Sequence, residues 1–213
     1  AVLAGGFAPR RGLAQSLPSC VVTPQQTEGP FFTDVRLNRS DIRSDPADKS
    51  ARDGVPLALS LRVSTAGSGG CTPLAGAVVD VWHCDAAGAY SDSDRSTAGK
   101  QFLRGHQVTG ADGAVRFTTI YPGWYQGRAV HIHFKIRTAA GAGRTAEFTS
   151  QVYFDDAFTD QVFARAPYAA RGPRSTRNRQ DGIYRRDGAQ LMLSVGPDGA
   201  GYTTTFNVAM QGV

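Results

Sequence analysis

The chain predicts an all-β sandwich with long loops and one or two short helices, and three observations carry that prediction. Its 213 residues include 25 glycines and 11 prolines beside frequent Val, Thr and Phe, a composition of many turns and few long helices. Short segments alternate apolar and polar residues with period two. Turn signals fall between them at regular spacing, as expected for a sandwich.

Residues 1–22 carry no periodic pattern and read as a tail. Within it AVLAGGFAPRRGLAQS is like the small, apolar end of an export signal running into a polar segment, so a secreted or extracytoplasmic protein is expected, with a cytoplasmic one as the alternative. Residues 23–213 read as one domain. TPQQTEGPFFT, residues 23–33, is extended, because Pro24 and Pro30 each push the preceding residue away from helix, and residues 34–54 are polar loop. Strands are expected at 55–65, 76–84, 103–109, 114–120, 129–138 and 147–154, separated by turns at 67–70, 86–88, 110–113 and 139–143. Phe158, Val162 and Phe163 recur at helical spacing ahead of Pro167, which gives one short helix. Residues 171–187 read as a charged loop, and 189–195 with 201–209 as a closing hairpin around Pro197-Asp198-Gly199.

No run of about 20 apolar residues is present, so no helical membrane span is expected. The net charge of +5 comes from scattered arginines without a basic run, which argues against nucleic-acid binding and favours phenolate or carboxylate ligands. The three cysteines form no CxxC pair, which excludes a zinc finger. Cys71 and Cys84 flank a strand that would hold them ~25 Å or more apart. A disulfide would therefore join Cys20 to one of them; three reduced cysteines are the alternative.

The stretch YQGRAVHIHFKI, residues 125–136, concentrates the chemistry. Val130, Ile132, Phe134 and Ile136 take one strand face, His131, His133 and Lys135 the other. At strand rise the two histidines stand ~7 Å apart at Cβ, close enough for both imidazoles to meet one metal ion. The Pro-Gly turn just before places Tyr125 and Arg128 on the approach, and VDVWHCDAAGAYSD ends in a turn presenting Tyr90. Each has a plainer reading: a polar strand face, a turn tyrosine tucked on the core, a rim tyrosine. Together Tyr90, Tyr125, His131 and His133 offer two phenolates and two imidazoles, a set suited to Fe(III). Zinc sites favour Cys, His and carboxylates, and ferrous oxygenases pair two histidines with a carboxylate. His83 and His106 read as structural histidines, Asp92 and Asp94 as a solvated loop, and Glu28 as a pocket or turn-capping residue.

WHCDAAGAYS, TTIYPGWYQGRAVHIHFKI, TSQVYF and TPQQTEGPFF resemble segments of the intradiol ring-cleavage dioxygenases: the catechol 1,2-, hydroxyquinol 1,2- and protocatechuate 3,4-dioxygenases. The resemblance spans roughly residues 23–208 and implies a transthyretin-like sandwich core, one Fe(III) per chain, and a catecholic substrate opened with O2 between its hydroxyl-bearing carbons to a cis,cis-muconate-type diacid. It matches Tyr90 to the equatorial tyrosinate, Tyr125 to the axial one that leaves on substrate binding, His131 and His133 to the histidines, and Arg128 and Gln151 to the active-site arginine and glutamine. The short export-like form resembles a secreted bacterial subgroup. Only five residues separate Tyr125 from His131, so a pocket-shaping loop is missing and a more open pocket is expected. No long helical N-terminal dimerisation region is visible, which leaves a monomer or a small homo-oligomer. A non-catalytic sandwich binding module and a zinc-holding sandwich hydrolase are the rival readings.

Overall fold

The computed structural model describes residues 20–140 and 144–211. The tail expected over residues 1–22 therefore falls, for 1–19, outside the described residues. One sheet is built on β1 (Pro56–Gly67), whose Leu57, Leu59, Leu61 and Val63 are buried while alternate residues are more exposed. Along one edge β1 pairs antiparallel with β2 (Gly70–Pro73). The second sheet contains β3 (Val78–Trp82) and, on its edge, β4 (Arg104–Val108). β5 (Ala114–Ile120) returns to β1, and β6 (His131–Ala140) and β7 (Arg144–Tyr153) complete the second sheet in the order β4-β3-β6-β7. β8 (Val195–Asp198) and β9 (Gly201–Gln211) close the first sheet, with β9 running parallel to β1.

The inner faces meet in one core. Leu57, Leu59, Leu61 and Phe117 of the first sheet pack in the same cluster as Val79, Val81, Ile132, Phe134, Ile136 and Val152 of the second. Burying each large apolar side chain stabilises the fold by about 1.5–3 kcal/mol, and β6 supplies three that are fully buried. A one-residue slip of β6 would turn that set outward. This fixes which residues face the other way.

That other face of the second sheet is also covered. Residues 23–33 cross it as an extended strap, held by Gln26 N–H to Thr149 O at 2.9 Å, Ser150 Oγ to Pro24 O at 2.7 Å and Gln151 Nε2 to Thr27 O at 2.8 Å. Gly29, at φ +71°, lies over His133, where a Cβ would stand 3.5 Å from the ring. The disulfide joins Cys20 to Cys71 on β2, with Cα atoms 5.2 Å apart, so the strap's start is tethered to the first sheet. Cys84 keeps a buried thiol, pushed up to about 12 chiefly by burial.

The expected helix is α1 (Asp156–Phe163), capped by Asp155, which accepts from Phe158 N–H at 2.8 Å. Two expectations need correction. The loop at 171–187 holds a 3-10 turn at Asn178–Gln180 and a short helix α2 (Tyr184–Asp187). Of 189–195 the closing hairpin uses only Val195: Gly188–Leu191 is a 3-10 turn. Leu191 and Leu193 are buried, and Leu193 N–H bonds Tyr153 O, so this segment packs on the end of β7. The hairpin strand is β8, which includes Pro197 opposite Tyr202, tolerated because β8 is an edge strand. β2 went unrecognised, since GCTP has no buried residue and no alternation.

Candidate metal centre

The four donors that the sequence singles out converge. His131 and His133 project from the same face of β6, and their Nε2 atoms lie 3.0 Å apart. Tyr90 Oη stands 3.4 Å and Tyr125 Oη 3.3 Å from His131 Nε2. β3 places Trp82 opposite His133, where the indole stacks on the imidazole at 4.9 Å and 7°. Phe31 of the strap stacks on Tyr90 at 4.4 Å. Packing rather than hydrogen bonding therefore sets two of the rings.

The protonation pattern suits a cation. His131 Nδ1 lies 2.6 Å from Ala129 O, and a carbonyl only accepts, so Nδ1 carries the proton and Nε2 presents its lone pair inward. His133 Nδ1 is buried without a partner, so this ring's own hydrogen bonds do not account for its place. Burial, and then the Arg128 charge, lowers His131 to about 3. Burial and neighbouring His131 hold His133 well below the ordinary imidazole value, so both rings are neutral at neutral pH and offer nitrogen lone pairs. Burial raises both phenols, with Tyr90 further raised by Tyr125 and Tyr125 partly relieved by Arg128. A bound cation inverts that preference and strips phenol protons. Two neutral nitrogens and two potential phenolates fit ferric iron. Among the described residues no cluster of three His, Cys, Asp or Glu is found, which leaves the zinc reading without its usual ligand set.

Arg128 stands beside this point. Its Nη1 donates to Tyr125 Oη at 3.3 Å, its Nη2 to Gln151 Oε1, and its Nε to Asp181 Oδ2 at 2.9 Å. Gln151 sits opposite His133 on β7 and is aimed by Thr27 O and Tyr153 Oη. Every residue singled out for the site is thus in one cluster. Glu28 stands apart from it, its carboxylate paired with Lys135. His83 is structural, bonded to Cys84 O at 2.8 Å and Thr119 Oγ1 at 2.6 Å. Asp92 and Asp94 are exposed and bond the loop's own backbone.

The sequence reading missed Asp181, which is buried and accepts from Arg128 Nε, from Ala129 N–H at 2.9 Å and from Ile183 N–H at 2.7 Å. Burial would raise its carboxyl, but Arg128 and the backbone donors outweigh this and hold it below the usual range. Nothing local marks it. Tyr153 was also missed, although it shares the alternation of Gln151 and pairs with His131. A cleft of about 970 Å³ opens beside Arg128, lined by residues including Gln26, Thr27, Asp181, Ile183 and Arg185. It borders the centre through Arg128, and neither the phenols nor the imidazoles line it.

Comparison with known proteins follows the same lines. The family model described as Dioxygenase matches residues 27–189. The chain is 32% identical over 148 residues to catechol 1,2-dioxygenase 1 of Acinetobacter lwoffii, covering 59% of this chain and 45% of that protein. The match to the chlorocatechol 1,2-dioxygenase of Rhodococcus opacus covers 38% of that protein, so the chain spans less than half the length of these curated relatives. Among solved structures, the intradiol ring-cleavage dioxygenase of Tetranychus urticae superposes with TM-score 0.76 at 30% identity, covering 90% of this chain and 95% of that one. The dioxygenase domain of a dioxygenase carbohydrate-binding protein fusion from Streptomyces sp. SirexAA-E superposes with TM-score 0.66 at 30% identity, covering 91% of this chain and all of that one.

Two outcomes are expected. Asp181→Asn leaves the buried Arg128 cation uncompensated and should cost about 3 kcal/mol, read by urea unfolding; a loss below about 1 kcal/mol would mean that the pair is not an effective buried one. The metal-free protein should lose stability as pH falls below about 6.5, where unfolded histidine protonates. His131 and His83 stay neutral in the fold until about 3 and 4, so the unfolded chain binds more protons in that window. Each ring contributes about 1.4 kcal/mol per pH unit there. Urea midpoints that stay constant from neutral pH into that window would contradict this.

Proposed function

The chain belongs to the intradiol ring-cleavage dioxygenase family, and from that premise we propose that it opens catechols between their two hydroxyl-bearing carbons with O2, yielding cis,cis-muconate-type diacids. The observation that carries the proposal is the convergence of Tyr90 Oη, Tyr125 Oη and the Nε2 atoms of His131 and His133 on one point beside Arg128. A non-catalytic sandwich module has no use for such a convergence.

The family is iron-dependent, and these four residues would hold one Fe(III). When bound, ferric iron acts as a Lewis acid on the catechol oxygens and draws electron density from the ring, which makes a ring carbon reactive toward O2. The protein's own contributions are separable. Tyr125, only part-buried and hydrogen-bonded to Arg128, would be the phenol oxygen that takes a proton from one catechol hydroxyl. Tyr90, buried under Phe31, would keep its place as a donor. His131 and His133, held neutral by burial, would add no charge of their own to the centre.

Arg128 supplies a fixed positive charge where negative charge develops on the opening ring. Asp181 and Gln151 hold its guanidinium from two sides, so little reorganisation accompanies the reaction. Phe31, Trp82 and the strap keep the centre poor in water, which strengthens that interaction. The cleft beside Arg128 gives room for ring substituents, in keeping with a pocket that accepts several catechols. The Cys20–Cys71 bridge supports an oxidising compartment, and we place the protein outside the cytoplasm.

Iron-loaded protein given catechol and O2 should consume one O2 per catechol and release the diacid. Arg128→Ala should lower kcat on the order of 10²-fold with KM comparatively unchanged, because the interaction is made mainly in the transition state. Lysine should rescue poorly, lacking the planar fork. An unchanged kcat at full iron occupancy would remove Arg128 from the mechanism, and no ring-opened diacid from the loaded wild-type protein would overturn the assignment.

A further inference from the structure

Arg104 opens β4 and lies opposite Trp82 on β3. The residue is 2% exposed, and among the described residues no carboxylate lies within ion-pair distance of it. The nearby Asp92 turns instead to Gly99 N–H at 2.9 Å. Charged residues are almost never fully buried unless paired, and desolvating the cation is expensive. The strand pairing of β4 does not need it, since an apolar side chain of similar volume would fill the space at lower cost.

What the guanidinium does is join two segments. Nε donates to Ser91 Oγ at 2.5 Å and Nη2 to Ser91 O at 2.6 Å, while Nη1 donates to Phe31 O at 2.5 Å. Ser91 follows Tyr90 in the chain. Phe31 is the strap residue whose ring stacks on Tyr90 at 4.4 Å and 21°. Two of the contacts fall on backbone carbonyls and one on the Ser91 hydroxyl, so all three are made to the two segments that enclose the Tyr90 ring and none to the phenol itself. We propose that Arg104 is a positioning residue that locks the strap at Phe31 to the Tyr90 turn, and so holds the Tyr90 oxygen in register with the imidazole pair. The iron-binding consequence rests on the function proposed above; the clamp itself does not.

A planar fork is suited to this task, because its donors diverge at fixed angles to acceptors on separate segments. Lysine, with one ammonium, cannot reproduce it. The inference also explains why a cation sits where a hydrophobic residue would be cheaper: among the described residues Phe31 makes no other hydrogen bond, so this contact adds a polar anchor at the point where the strap covers Tyr90.

The test uses the full chain with Arg104→Met, Arg104→Lys and the milder Ser91→Ala. In metal-free protein, amide hydrogen exchange at residues 28–33 and 89–93 should accelerate in Arg104→Met by on the order of tenfold or more, while residues 131–136 of β6 and 57–63 of β1 stay protected. Iron affinity should weaken on the order of 10- to 100-fold, as for other groups that orient metal ligands. Arg104→Lys should behave like Arg104→Met, and Ser91→Ala should move the same way by less. Combining Arg104→Met with Phe31→Leu should cost less than the sum of the two alone, because both act on one contact. Unchanged exchange in the two segments, a uniform rise across the whole sheet, or undiminished iron affinity in folded Arg104→Met would overturn the proposal. If Arg104→Met does not fold, Ser91→Ala carries both measurements with the same criteria. If the wild-type protein takes up no iron, the function proposed above fails, and the exchange pattern still decides the clamp.

Discussion

The structure depends on the register of β6, a strand buried on both faces for different reasons. Ile132, Phe134 and Ile136 have no exposed surface and sit in the core between the sheets. Moving the strand by one residue would exchange these for His131, His133 and Lys135, placing unpaired polar groups in an apolar interior at several kcal/mol. The hydrophobic core thereby aims the imidazoles. Pairing with β3 and β7 then sets their neighbours, so that Trp82, Gln151 and Tyr153 arrive opposite the two histidines through backbone register alone.

The outer face shows how charge is managed around that strand. Two buried neutral imidazoles and two phenols leave the centre with no fixed negative charge of its own, while Arg128 is partnered by Asp181. Lys135, the third outward residue, is paired with Glu28 and Glu147 and lies 4.4 Å over the Phe32 ring. The strap residues 23–33 thus serve two purposes: they remove water from the sheet face and satisfy Lys135, Ser150 and Gln151. A negative charge at the centre is supplied only when a phenol gives up its proton, which ties the ionisation of Tyr90 and Tyr125 to the arrival of a cation.

Much of this was legible in the chain. Alternation in VHIHFKI placed both histidines on one face without any knowledge of the fold, and the helix at 156–163 and most strands followed from period and punctuation. Tyr90 and Tyr125 were legible as candidate ligands only in combination, since each has an ordinary structural reading by itself. Asp181 was not legible: it lies 53 residues from Arg128 along the chain, and its role exists only because the 171–187 segment folds back against Arg128 and Ala129. The hairpin strand was misplaced for a related reason. Apolar residues at 191 and 193 signal a strand equally well whether they pair with β9 or pack on the end of β7, and tertiary packing made the choice. The charged loop was read from composition, which does not report the short turns that Asp181 and Asp156 organise.

Visible absorption of the purified, iron-loaded protein tests the central claim most directly. Tyrosinate bound to ferric iron gives a broad charge-transfer band, so the wild-type protein should be red to burgundy. Tyr90→Phe and Tyr125→Phe should each keep the ring packing, delete one oxygen and remove part of that band. A folded wild-type protein that binds iron without this band, or a band that survives unchanged in both variants, would contradict a centre built from Tyr90, Tyr125, His131 and His133.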